Sequence, residues 1–536
     1  MATRRIGALS TAAVAAAALA LSATSAPAGA APTQRDATER LTKAVTLDGV
    51  MDHLQAFQRI ARKHGDRAAG HPGYRASMRY IVRELKNAGY RPTVQKFPFT
   101  YVVDDSALRR TSPQPTSYVR DQDFTRNVFT PTFQGTATGA VEAVDVVVPM
   151  PPDAAPSTST SGCEDADFNN FEPGKIALLQ RGTCDFSVKV LNAQEAGAVA
   201  AIVMNEGQPG RTALFGMEGD AAGLAIPAVS TTYEVGVDLF GTPDAQVRVT
   251  VEFSEERRRT WNVLAQTKKG KPGNVVMAGA HLDSVRKGAG INDNGSGSAA
   301  LLETAVQMAD LKIRPANRVR FAWWGAEEEG LLGSEHYVAE LPTRQRNKIA
   351  LYLNFDMVAS PNFMFGIYDG DNSGGTAEPG FIPKGSAKIE KVFQNFYKSR
   401  KLPFQDSEFS GRSDYGPFIA VGIPAGGLFT GAEDVKSRKE ARRYGGVAGA
   451  AFDPCYHARC DNLTGRGQAP ALYRKLRKEY DLVGNVNTKA LRVNSDAIAT
   501  AVMRFARSTR GLPGSAPTGK SVTTGRHVDG MTVKQR

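Results

Sequence analysis

Residues 274–284 read Asn-Val-Val-Met-Ala-Gly-Ala-His-Leu-Asp-Ser, a short run of mostly apolar residues that stops abruptly at His281, Asp283 and Ser284. A run of this length and composition marks a strand covered on both faces, as in a parallel sheet. The pattern occurs twice more. Val319–Trp324 ends at Gly325-Ala326-Glu327-Glu328-Glu329, and Ile349–Phe355 ends at Asp356. Helical stretches alternate with these runs, so from Thr260 onward the chain reads as α/β, a mostly parallel or mixed sheet with helices on both faces. Ligands of open α/β sheets bind beyond the carboxyl ends of the strands, so the charged residues that close the three runs converge on one crevice.

The residue types that converge are informative. His281, Asp293, Glu328, Asp356 and His457 offer imidazole and carboxylate. These are the donors of a catalytic zinc, which keeps one position for water instead of closing its shell with thiolates. Two zinc ions bring four positive charges, which three carboxylates largely offset. Asp283, two residues past His281, can hydrogen-bond back to the imidazole and fix its tautomer. Asp293 sits in Gly290-Ile291-Asn292-Asp293-Asn294-Gly295-Ser296-Gly297, directly before the helix formers of Ala299–Ala309, and by itself that also reads as a helix cap. Neighbours at a strand end point in different directions, so of Glu327 and Glu328 one can bind metal while the other acts on water. Glu329 reads as a surface charge.

Outward from this core the texture changes. The 536 residues are 41% apolar with a net charge of +12, which excludes a lone small binding module and falls short of a nucleic-acid-binding stripe. Arg4 and Arg5, the apolar run Ile6–Leu21 and Ala28-Gly29-Ala30 form a secretory signal pattern, so the mature protein is expected to be secreted, without a membrane segment. In that oxidising setting four cysteines imply disulfides, most economically Cys163 with Cys184 and Cys455 with Cys460. Residues 38–89 read as helical, with apolar stripes through Leu54, Phe57, Ile81 and Leu85. Between Thr130 and Phe253, short apolar runs alternate with turns as a self-contained β-rich unit. The tail from Gly511 lacks periodicity and reads as disordered.

Six stretches in register make residues 262–506 resemble the M28 zinc aminopeptidases, especially the secreted bacterial leucyl-type enzymes. They are His281-Leu282-Asp283-Ser284, Asn292–Gly297, Trp324–Ser334, Asn354-Phe355-Asp356-Met357, Ser410–Tyr415 and Asp453-Pro454-Cys455-Tyr456-His457. The resemblance implies that His281 and Asp356 hold one zinc, Glu328 and His457 a second, and Asp293 bridges them. It makes Glu327 the general base and Tyr456 the hydrogen-bond donor to the oxyanion. It also places Met357, Gly411, Arg412 and Phe429 around the substrate pocket. Gly174–Phe186 and Lys189–Asn205 resemble a protease-associated (PA) domain.

The implied layout is a signal peptide over 1–30, the N-terminal part of the peptidase domain over 31–125, a PA insert over 126–255, the main zinc peptidase domain over 256–510 and the tail over 511–536. The expected protein is a monomeric, secreted di-zinc aminopeptidase that removes large apolar N-terminal residues from peptides and has no nucleic-acid partner. Some relatives bind calcium near the closing helix, but Arg492 stands here where an acidic residue is wanted, which puts calcium in doubt. A carboxypeptidase, with Arg412 gripping a terminal carboxylate, and a catalytically silent peptide-binding protein are the other readings.

Overall fold

The computed structural model describes residues 34–512 except 152–153, 209–210 and 378–379. The signal peptide read over 1–30 and the tail beyond Leu512 lie outside the described residues. Eight strands form the main sheet: β1 Thr93–Asp104, β2 Phe253–Gln266, β3 Lys271–His281, β4 Asn317–Trp324, β5 Ile349–Phe355, β6 Gly366–Tyr368, β7 Gln405–Ser407 and β8 Ala425–Phe429. Their spatial order is β1-β2-β4-β3-β5-β8-β6-β7. The central strands β4, β3, β5 and β8 run parallel, while β1, β2 and β4 are joined antiparallel, as are β6 and β8. The sheet is therefore mixed, with a parallel centre.

Period-two alternation explains the unbroken apolar runs. Val276, Ala278 and Ala280 of β3, Val319, Phe321 and Trp323 of β4, and Leu351, Leu353 and Phe355 of β5 face one core. Met277, Ala322, Trp324 and Tyr352 face a second core on the opposite side. Both faces are covered, so most positions are apolar, and the polar ones are partnered: Arg320 of β4 donates to the Tyr337 hydroxyl, and Asn354 of β5 accepts from Tyr352.

Helices α1 Leu47–His64, α2 Pro72–Asn87, α3 Gly297–Asp310 and α4 Thr488–Arg507 cover the first face through residues such as Leu54, Phe57, Ile81, Leu302 and Ile498. Each such side chain taken out of water stabilises the fold by roughly 1.5–3 kcal/mol. The span 38–89 is not one continuous helical stretch. Thr46 caps α1 by accepting from the Gly49 amide, α1 stops at Gly65 with φ +95°, and α2 starts with Pro72 in its first turn. The loop between them carries Asp66, Arg67 and His71.

The β-rich unit hangs from the β1–β2 ribbon. Asp104 and Phe253 are paired neighbours in that ribbon, so the chain leaves and re-enters at one place without interrupting the main sheet. The unit's own eight-stranded sheet is centred on Gly135–Ala143, Ile176–Gln180, Ala200–Met204 and Ala228–Thr231, which run parallel. Residues 107–125 lie with this unit and not with the N-terminal part of the peptidase domain, because Ala107–Ser112 pairs along Gln246–Val251. Likewise, the expected end at 255 falls inside β2. Cys163 is bonded to Cys184, and Cys455 to Cys460. Among the described residues, no helix is long and apolar enough to cross a membrane.

Candidate active site

Strand register assembles the site. His281 pairs with Trp324 at the end of β4, and Gly279 pairs with Asn354 in β5, so His281 lies level with Asp356 and just ahead of Glu327 and Glu328. The chain adds β4 on one side of β3 and β5 on the other, and this reversal of strand order opens a crevice at the carboxyl end of β3. His281 Nε2 lies 3.2 Å from Asp356 Oδ1, 3.3 Å from Asp293 Oδ1 and 3.8 Å from Glu327 Oε2. On the other side, His457 Nε2 lies 3.3 Å from Asp293 Oδ2 and 3.0 Å from Glu328 Oε2. Asp293 thus turns one carboxylate oxygen to each imidazole. His281, Asp293 and Asp356 are buried and Glu327 and Glu328 nearly so, whereas the His457 side chain is 43% exposed and opens the site to solvent.

The asparagines flanking Asp293 fix its loop. Asn294 accepts from the Gly297 and Met357 amides and donates to the Phe355 carbonyl, while Asn292 donates to Ser360 and Asp453. Gly297 is required by close approach, since a Cβ there would stand 2.2 Å from the Phe355 carbonyl oxygen. Asp293 does not cap α3; its two oxygens face the histidines. Asp356 is held by a chain of hydrogen bonds: Trp324 donates to the Tyr352 hydroxyl, which donates to Asn354, which donates to Ser413, whose hydroxyl reaches Asp356 Oδ2 at 2.6 Å. Ala326, Met357 and His457, next to or within the cluster, take positive φ without being glycine, a strained conformation.

One expected contact is replaced by another. Asp283 Oδ1 stands 3.7 Å from His281 Nδ1, beyond hydrogen-bond distance, and instead its two oxygens accept the backbone amides of Glu327 and Glu328 at 3.3 Å each. Asp283 therefore sets the position of the Glu327-Glu328 turn. Tyr456 stacks on His457 with centroids 3.8 Å apart, and its hydroxyl accepts from Arg412 Nη2 at 3.3 Å. Arg412 also pairs with Glu433 at 2.7 Å. Met357 follows Asp356 directly, and its carbonyl accepts from the Thr430 amide, next to Phe429 at the end of β8. Gly411 turns at φ +83° beside Arg412.

Three further partners hold these loops, and of them only Asp453 belongs to one of the six stretches. Asp461 accepts the amides of Asn292 and Asp293, Asp453 accepts from the Asn292 side chain and the Cys455 amide, and Asn485 donates to both carboxylates. The pair ties the disulfide loop carrying His457 to the loop carrying Asp293. Burial and the neighbouring Asp453 carboxylate push Asp461 up to about 8. The buried Arg67 guanidinium donates to the carbonyls of Leu282, Ala289 and Gly290, on both sides of the same crevice.

Four carboxylates face two imidazoles here, so negative charge is in excess. Burial disfavours charge on His281, but Asp356, Glu327, Asp283 and Asp293 outweigh it and hold that imidazole well above the usual histidine range. Burial likewise pushes Glu327 well above, and Glu328 to about 7. Glu328 Oε1 is buried with no hydrogen-bond partner among the described residues. A buried unpaired carboxylate oxygen beside surplus negative charge fits a bound cation, and the mixed imidazole and carboxylate donors suit zinc. The ligand atoms of His281, Asp293 and Glu328, and those of His281, Glu327 and Asp356, lie within 4.8 Å of one another.

A strand-end cluster of imidazoles and carboxylates on an α/β sheet is a candidate metal centre. Residues 262–469 match peptidase family M28 and residues 143–239 match the PA domain. An aminopeptidase of Pseudomonas aeruginosa is 44% identical over 475 residues, covering 88% of this chain and 83% of that protein. Leucine aminopeptidase 2 of Trichophyton equinum is 44% identical over 365 residues, covering 67% of this chain and 68% of that one. The solved aminopeptidase from Aneurinibacillus sp. strain AM-1 shares the fold at a TM-score of 0.57 and 24% identity, covering 88% of this chain and 96% of its own. The chain belongs to peptidase family M28 and is an aminopeptidase with an inserted PA domain.

Proposed function

We propose that the protein is an exported di-zinc aminopeptidase that cleaves the N-terminal peptide bond, with a preference for large apolar residues such as Leu. The placement of Asp293 between two imidazoles carries this reading, because it divides the donors into two sets that share one carboxylate. His281 and Asp356 would hold one ion, His457 and Glu328 the other. When bound, zinc supplies Lewis acidity that polarises the scissile carbonyl and makes water a better nucleophile. Glu327 Oε2 takes a proton from the attacking water and delivers it to the leaving amine nitrogen. Tyr456 donates its hydroxyl hydrogen to the developing oxyanion, and Arg412 orients that hydroxyl.

The ion pair between Arg412 and Glu433 supports the aminopeptidase over the carboxypeptidase reading, since the guanidinium is already matched by a carboxylate. Asp496 is likewise paired with Arg400 at 2.7 Å, a positive charge that disfavours calcium beside the closing helix. The leucine aminopeptidase among the relatives supports the side-chain preference. The signal pattern of residues 1–30 and the two disulfides support export.

The deciding assay is chromophore release from leucine p-nitroanilide and from its N-acetylated form, with and without a zinc chelator. The reading expects cleavage of the free-amine substrate alone, abolished by the chelator and restored by zinc. Equal cleavage of both anilides, or release of C-terminal residues from peptides, would overturn it. A second expected outcome concerns the support beneath the metal site. Asp461→Ala removes the acceptor for the Asn292 and Asp293 amides and should weaken zinc binding by about 10–100-fold in a chelator competition.

A further inference from the structure

Helices α1 and α2 enclose a groove of about 780 Å3. Arg59 and Lys63 stand on one wall, and Arg75, Arg79 and Arg83 on the other. Each row follows i, i+4 spacing, which brings neighbouring cations within roughly 5–6 Å at Cβ and destabilises an isolated helix. No Asp or Glu lines the groove among the described residues, and there Arg59, Lys63, Arg75 and Arg79 have no carboxylate within 4.0 Å. Arg83 alone is paired, with Glu84. The floor is apolar, built from Ala56, Ile60, Ala76 and Trp261, and Arg75 lies over the Trp261 ring at 5.8 Å.

Two rows of cations, four of the five without a carboxylate partner, above an apolar floor specify an occupant with both characters. We propose that the groove docks an acidic, amphipathic peptide segment of another protein, with carboxylates against the guanidinium walls and apolar side chains on Ile60 and Trp261. Guanidinium forks match carboxylates bidentately, and each match would remove a like-charge repulsion already present in the free protein. Polyphosphate satisfies the walls but leaves the apolar floor uncovered, and a planar lipid surface does not enter a concave groove. The chain's own segment 513–536 is unsuited, with four basic residues against one acidic.

The test uses the full-length zinc-loaded enzyme and a dye-labelled, N-acetylated peptide of alternating Glu and Leu, whose blocked amine keeps it out of the aminopeptidase site. Fluorescence anisotropy should report binding that weakens with added salt and falls by about tenfold or more in Arg75→Glu/Arg79→Glu and in Arg59→Glu/Lys63→Glu. Leucine anilide turnover should stay at the wild-type rate in both, which shows that the variants fold. Unchanged peptide affinity in either double variant would overturn the proposal. So would equal binding of a Ser-Leu peptide, or tighter binding of polyphosphate or of phosphatidylglycerol vesicles than of the Glu-Leu peptide.

Discussion

Glu327→Gln should lower kcat for leucine p-nitroanilide by about 10²–10⁴-fold while leaving zinc content and KM near wild type. The substitution keeps the size of the side chain and removes only its capacity to accept a proton. Glu327 lies in a turn whose position is set by Asp283, through the amides of residues 327 and 328, so the neighbouring Glu328 should keep its place. Its largely enclosed carboxylate lies 3.8 Å from His281, close enough to the cluster to work on the attacking water. Atomic absorption on the purified variant separates the two roles. Loss of zinc together with activity would make Glu327 a ligand; a loss of kcat smaller than about threefold would remove it from the proton path.

Arg67→Met is the substitution with the largest expected effect on stability. Arg67 is wholly buried, its guanidinium donates to three carbonyls, and its Cζ stands 4.9 Å over the Phe57 ring. Burial lowers its pKa to about 10, opposed by Asp283, Asp461, Asp293 and Glu328, so it stays charged at neutral pH as the cation beneath the acidic cluster. Methionine fills the volume of the stem but leaves the carbonyls of Leu282, Ala289 and Gly290 without donors and the carboxylates without a counter-charge. Removing one member of such a buried set costs roughly 3–5 kcal/mol, which in a protein of this size should lower the unfolding midpoint by about 3–7 °C. Arg67→Lys should recover only part of this, because one ammonium cannot reproduce the planar fork that meets three carbonyls. A Met variant that melts within about 2 °C of wild type would show that these contacts are dispensable.

The strands that build the crevice were legible because both their faces are covered, so their sequence is mostly apolar, Arg318 and Arg320 of β4 excepted, and charged or imidazole side chains stand at or just past each strand end. His281 and Asp356 follow from that rule alone. Asp293 did not, since its loop also reads as a helix cap, and only the fold shows its oxygens turned to two histidines. Arg67 left no signal at all. The apolar stripes of α1 and α2 carry one helical period across it, and the break at residues 65–71 depends on Gly65 and Pro72 more than on any polar cluster. Asp461 and Asn485 were equally hidden, because the amides that Asp461 holds lie more than 160 residues earlier in the chain and Asn485 acts on them only through Asp453 and Asp461. The boundary of the β-rich unit was misplaced for a related reason: the alternation of β1 runs on into Ala107–Ser112, and only the pairing partner distinguishes the two sheets.

The account depends most on two metal ions sharing Asp293. Crystals grown with zinc, measured on both sides of the zinc absorption edge, should show two anomalous peaks about 3.5–4 Å apart, one beside His281 and Asp356 and one beside His457 and Glu328. A single peak in fully active enzyme, or two peaks with Asp293 bound to neither, would contradict it.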